Sequence, residues 1–138
     1  MLGDEGVGVR VVEDMQRMNL PGNVELVDGG TAGLDLIDVV ANRRKVIVVD
    51  AVRVGSKPGT ILSFSVNDLM PQGTASVSLH QVGLLEALMM ARHLGCAPQQ
   101  VVILGIEPKE ISYGLNLSAE VVAKVPSVIK LVLAEIYD

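Results

Sequence analysis

Between Lys45 and Ala51 the chain reads Lys-Val-Ile-Val-Val-Asp-Ala, an almost unbroken β-branched run that ends on a carboxylate. Branching at Cβ crowds a helix and suits a pleated strand. A strand without polar alternation is expected to be buried on both faces, the habit of a parallel sheet covered by helices. Val101 to Gly105 repeats the pattern. Two such runs separated by helical periodicity point to an α/β domain.

The intervening segments supply that periodicity. Val7, Val11, Val12, Met15 and Met18 recur at helical spacing opposite Glu13, Asp14, Gln16 and Arg17, which predicts an amphipathic helix closed by Pro21-Gly22-Asn23. Val24-Glu25-Leu26-Val27 alternates and reads as a short strand ending at Asp28-Gly29-Gly30. Helices are expected from Ala32 to Ala41 and from Val82 to Leu94, the second capped by Gly95. Thr60 to Val66 reads as an antiparallel edge strand, Pro71 to Ser76 as a loop, and Glu107 to Asn116 as irregular. Ser118-Ala119-Glu120 opens a final helix that is expected to bend at Pro126. Together these give a three-layer α/β/α sandwich on a mainly parallel twisted sheet with one antiparallel strand. The 138 residues are expected to form one domain, 1–138.

Composition removes several classes of function. Apolar residues make up 49% of the chain, and Phe64, Tyr113 and Tyr137 are its aromatic residues, so the core is aliphatic. The formal charge of −5, without a basic stripe or stacking rings, argues against nucleic-acid binding. One cysteine, Cys96, excludes an internal disulfide or a cysteine-based zinc site. No apolar run reaches the ~18 residues needed to cross a bilayer. Asp4 and Glu5 stand where a signal peptide would be basic and then apolar. A cytoplasmic monomer without nucleic-acid or membrane partners is expected.

In open α/β sheets ligands sit beyond the carboxyl ends of the strands. Asp28, Asp50 and Glu107 are the acids at those ends. Asp50 terminates an apolar strand at the rim of the core, where an unpartnered carboxylate costs several kcal/mol; it either serves a site there or caps a neighbouring turn. His80 precedes the helix at Val82 and is either a ligand or base or a hydrogen-bonding group at the helix start. His93, near the other end of that helix, suits the last carbonyls and the helix dipole. Met89-Met90 reads as core filler. The turn Gly3-Asp4-Glu5-Gly6-Val7-Gly8 has the wrong order for a phosphate loop, and its acids would repel an anion. Acids in such a turn suit a cation. Two carboxylates and one imidazole form a mixed oxygen and nitrogen set that fits nickel, zinc or manganese.

Six stretches, in order along the chain, resemble the hydrogenase maturation endopeptidases. They are Gly3-Asp4-Glu5-Gly6-Val7-Gly8-Val9-Arg10, Asp28-Gly29-Gly30-Thr31-Ala32-Gly33, Val48-Val49-Asp50-Ala51, Ser78-Leu79-His80, Leu104-Gly105-Ile106-Glu107-Pro108 and Gly114-Leu115-Asn116-Leu117-Ser118. The resemblance implies a peptidase, aspartic-type in classification, that removes the C-terminal extension of a nickel-loaded nickel–iron hydrogenase large-subunit precursor. It implies nickel binding by Glu5, Asp50 and His80, with Asp50 or Glu5 as general base or a nickel-polarised carbonyl as the ways to activate the attack, and Asp28 supporting the cleft. The nickel would arrive with the precursor, so no tightly bound cofactor is expected in the free enzyme. Members of the family carry a central first strand of about five to six residues ahead of the acidic loop. This chain opens at Met1-Leu2-Gly3-Asp4-Glu5, so that strand is expected upstream of Met1. A non-catalytic module that holds the precursor or delivers nickel is the alternative from another class, and a different peptidase, as in the distantly similar spore-germination proteases, is the third. Val7-Gly8-Val9 and the loop from Pro71 to Ser78 are either substrate contacts or ordinary packing and an ordinary loop, and Lys109-Glu110 is a candidate specificity region.

Overall fold

A computed structural model describes residues 6–27, 36–65, 79–109 and 117–137, with the backbone alone described at 79–83. Its elements in order are helix α1 (Val7–Met15), helix α2 (Leu36–Val40), strand β1 (Lys45–Ala51), strand β2 (Ile61–Phe64), helix α3 (Leu79–His93), strand β3 (Gln100–Ile106), helix α4 (Ala119–Val122) and helix α5 (Val125–Ile136). The described strands form one mixed sheet in the order β1-β3-β2. β1 pairs parallel with β3 from Lys45 opposite Gln100 to Ala51 opposite Ile106. β2 runs antiparallel on the far side of β3, with Ile61 opposite Ile106 and Phe64 opposite Ile103. The expected antiparallel edge is therefore present, and shorter than the Thr60 to Val66 run.

Side-chain alternation divides each strand between two cores. Ile47, Val49 and Ala51 of β1 join Leu104 and Ile106 of β3 against Val7, Val11 and Met15 of α1 and Val128 and Val132 of α5. Val46 and Val48 turn the other way and join Ile103 against Val40 of α2 and Leu84, Leu88 and Ala91 of α3. Helices on both faces of a mixed sheet make the expected three layers. In α1 the buried positions are Val7, Val11 and Met15, one turn apart each time. The exposed face carries an Arg10–Asp14 ion pair at 3.5 Å.

The amino ends of the two parallel strands are sewn together by backbone. Asn42, at φ 59°, donates its N–H to the Cys96 carbonyl at 2.8 Å. Gln99 and Gln100 donate to the carbonyls of Arg43 and Arg44 at 3.1 and 3.0 Å. An Asn tolerates the left-handed conformation that this turn requires.

Several local expectations are corrected. Val24–Val27 is described without strand structure, because no described strand lies against it. β1 is half-buried along its whole length rather than fully buried, since it borders the sheet among the described strands. α3 starts at Leu79, three residues before Val82, so His80 belongs to its first turn and not to a preceding loop. α1 ends at Met15 rather than Met18. The final helix is broken in two at Ala123 and Lys124 rather than bent. Pro126 lacks the N–H that would continue the helix and sits instead in the first turn of α5. Met89 and Met90 are 54% and 48% exposed and fill no core, because Leu84, Leu88 and Ala91 define the inward face of α3.

Between β1 and Val24–Val27 runs a groove of about 580 Å³. Lys45 to Asp50 form one wall and Asn23 to Val27 the other; α1, α2 and the end of α5 complete it with Val9, Val12, Val39 and Ile136.

Candidate functional site

Asp50 is the last residue but one of β1, opposite Gly105 of β3. It is half-buried, and its Oδ1 accepts the N–H of Ala51 at 2.9 Å. By alternation with Val46 and Val48, its side chain leaves the sheet on the α2/α3 face. Beside it the sheet is bare at Gly105. A Cβ there would lie 2.7 Å from Val52 Cγ2 and 2.9 Å from a Phe64 ring carbon, so glycine makes room for both.

Two helix starts lie at this same end of the sheet. α1 begins beside the end of β1: the nearest atom to a Cβ built on Gly8 is the Val49 carbonyl oxygen, at 2.4 Å. α3 ends at His93, six residues short of the start of β3, and so descends toward the amino ends of the strands. Its 15 residues span roughly 22 Å at 1.5 Å each, which puts its first turn, with His80, at the carboxyl ends and over the Asp50 face. The structure thus brings the backbone of His80 and the start of α1, Gly6 and Val7, to one end of the sheet with Asp50. The His80 side chain is outside the described atoms, and Glu5 and Asp28 lie outside the described residues. So does the loop from Pro71 to Ser78, and so does Glu110.

Glu107, named in the sequence for its place after β3, has a structural task. It is 5% exposed, and its Oε1 accepts the N–H groups of Val54 at 2.8 Å and Ser56 at 2.9 Å. Its own N–H donates to the Thr60 carbonyl and its carbonyl accepts from Gly59, both at 2.8 Å. The carboxylate therefore fastens the loop that follows Asp50 to the end of β3. Its position after an apolar strand shows in the sequence, but the four bonds belong to a loop fifty residues away in the chain.

Lys109 pairs with Glu120 at 3.5 Å across exposed surface. Val7 is wholly buried in the α1/α5 core, so the packing reading of Val7-Gly8-Val9 holds at that residue. His93 lies with Arg92 in the last turn of α3. Cys96 is a free, half-buried thiol. Among the described residues no helix is long and apolar enough to cross a membrane.

The chain matches known proteins along almost its whole length. The chain is 36% identical over its whole length to the Hydrogenase 2 maturation protease of Escherichia coli, covering 85% of that protein. It is 37% identical to the hydrogenase expression/formation protein HupD of Thiocapsa roseopersicina over 94% of this chain, and there it spans 60% of the relative's length. The solved structure of the hydrogenase maturating endopeptidase HybD from Escherichia coli superposes with a TM-score of 0.88 at 35% identity, over 99% of this chain and 85% of that one. The family profile described as hydrogenase maturation protease matches residues 9–135. This chain belongs to the hydrogenase maturation protease family.

Proposed function

We propose that the protein is an endopeptidase that removes the C-terminal extension of a nickel–iron hydrogenase large-subunit precursor once nickel has been inserted. The observation that carries this reading is Asp50. It is a half-buried carboxylate at the carboxyl end of an apolar parallel strand, with the first turns of α1 and α3 delivered to the same end. The likeness to a protein named Hydrogenase 2 maturation protease supports the substrate class.

In this reading Glu5, Asp50 and His80 engage the nickel that the precursor carries. Two carboxylates and an imidazole are an incomplete ligand set for a borderline ion. Such a set leaves coordination positions for ligands that belong to the substrate, and it checks that the ion is present before cleavage. Asp50 or Glu5 then takes the proton of the attacking water as general base, and Asp28 supports the cleft. The enzyme works as a cytoplasmic monomer and holds no nickel of its own between turnovers.

The test is digestion of the precursor with and without inserted nickel, followed by intact mass. Loss of the extension in the nickel-loaded sample alone is expected, and Asp50→Asn and His80→Ala are each expected to abolish it. Intact processing by both variants would remove the site assignment. Tight nickel binding by the free protein with no change in precursor mass would favour a nickel-delivery module instead.

A further inference from the structure

The loop that leaves β1 carries charge on a fixed frame. Val52 donates its N–H to the Ile106 carbonyl at 3.0 Å, and the Thr60 N–H and Oγ1 both donate to the Lys57 carbonyl, at 3.0 and 2.6 Å. Between these bonds Glu107 holds the Val54 and Ser56 amides. Gly59, at φ 88°, lies against α4: a Cβ there would be 2.8 Å from the Glu120 carbonyl oxygen and 3.3 Å from Lys124 Cγ. A loop ordered in this way before a partner arrives loses little conformational freedom on binding. On that frame Arg53 and Lys57 are exposed, and Val54 is 37% exposed. Neither cation has an ion-pair partner among the described residues.

Two further cations share this corner. Lys109, at the exit of β3, pairs with Glu120 of α4, and Lys124 follows α4; both lysines are exposed. Over residues 52–60, 107–109 and 117–124 the charged side chains are Arg53, Lys57, Lys109 and Lys124 against Glu120 and the buried Glu107. A chain of formal charge −5 thus gathers positive charge beside the carboxyl end of β1. Arg53 is three residues past Asp50, so the two Cα atoms are at most about 11 Å apart.

We infer that this corner is a docking surface for the precursor protein and that it engages acidic side chains on the precursor's surface. The inference rests on the precursor being the substrate. The corner borders Asp50, so a protein that presents a bond there meets Arg53 and Lys57 in the same encounter. Four cations on three segments suit several carboxylates better than a single one. Nucleic acid is a poorer occupant, because the chain is acidic overall and the corner holds no ring on which a base would stack. Exposed charges of this kind act mainly by steering association, and salt weakens them.

The experiment measures binding and processing of the nickel-loaded precursor at about 50 mM and about 500 mM sodium chloride. Arg53→Glu/Lys57→Glu is compared with Arg17→Glu/Arg92→Glu, which makes the same charge change at exposed positions beyond the end of α1 and in the last turn of α3. The first pair is expected to raise the precursor Kd by about 10-fold or more at low salt, and by less than about 3-fold at high salt. KM should rise with it while kcat at saturating precursor stays unchanged. The control pair should change Kd by less than about 2-fold. If the reversed pair does not fold, Arg53→Gln/Lys57→Gln carries the same comparison at half the charge change. Equal weakening by both pairs, or none by the first, overturns the inference. So does salt-sensitive self-association that the first pair abolishes, which assigns the corner to a second copy. Short duplex DNA bound as tightly as precursor, and released by the first pair, overturns it by assigning the corner to phosphates. The expected binding pattern without any cleavage supports the docking surface and removes the peptidase reading; cleavage indifferent to the first pair does the reverse.

Discussion

A Cβ on Gly8 would lie 2.4 Å from the carbonyl oxygen of Val49, so helix α1 rests directly on the backbone of β1 at that point. The obstacle is backbone, which does not swing aside as a flexible side chain would. Gly8→Ala is therefore expected to destabilise the fold by about 1–3 kcal/mol, although alanine is the better helix former. The same substitution at the exposed Arg10 should be nearly neutral by comparison. Urea unfolding of the two variants checks the contrast.

Glu107 offers a test of a buried carboxylate used as an acceptor. Glu107→Ala leaves the N–H groups of Val54 and Ser56 without their acceptor. A loss of about 1–3 kcal/mol is expected. Glu107→Gln keeps an oxygen able to accept both bonds and should retain most of the stability. If glutamine costs as much as alanine, the negative charge rather than the acceptor geometry matters.

At the amino end of β1, Lys45 Nζ reaches the Glu135 carboxylate at 3.0 Å and the Glu135 carbonyl at 2.9 Å. The Lys45 side chain is only 11% exposed, so this pair is shielded from salt. Glu135→Ala should lower stability, and the loss should persist in 1 M sodium chloride. Removing Glu25 from its exposed pair with Arg43 should cost less than about 1 kcal/mol.

Ile103 is fully buried between Val40, Leu84, Leu88 and Ala91. Ile103→Ala is expected to cost about 2–5 kcal/mol, and Ile103→Val about 0.5–1.5 kcal/mol. Thermal unfolding monitored by circular dichroism measures both. Equal effects would mean that the site collapses around the smaller residue.

The parts of the fold written in local periodicity were legible. β1, β3 and the inward stripe of α1 follow from residues that repeat at a strand or helix spacing, and Gly95 closes α3 at φ 76° as a C-cap glycine should. The readings that failed depended on distant neighbours. Val24-Glu25-Leu26-Val27 alternates like a strand, but alternation supplies no partner. Met89 and Met90 are apolar, yet their placement was decided by which face of α3 met β1 and β3. His80 and Gln81 look like loop residues because nothing in their own chemistry marks an earlier helix start. Asp50 was legible as the acid at the carboxyl end of an apolar strand, and the structure places it there, half-buried and opposite Gly105. Glu107 carries the same signal, and only the fold shows that its carboxylate is held by the Val54 and Ser56 amides.

The stitching of Asn42 to Cys96, and of Arg43 and Arg44 to Gln99 and Gln100, joins stretches about fifty residues apart in the chain. A ribosome adds about 5–20 residues per second. The finished β1 therefore waits on the order of 2–10 s for β3 to be synthesised. Throughout that interval its aliphatic surface has no cover from β3 or α5. Slow translation between Val52 and Gln99 would lengthen the exposure, and the yield of soluble protein should fall with it.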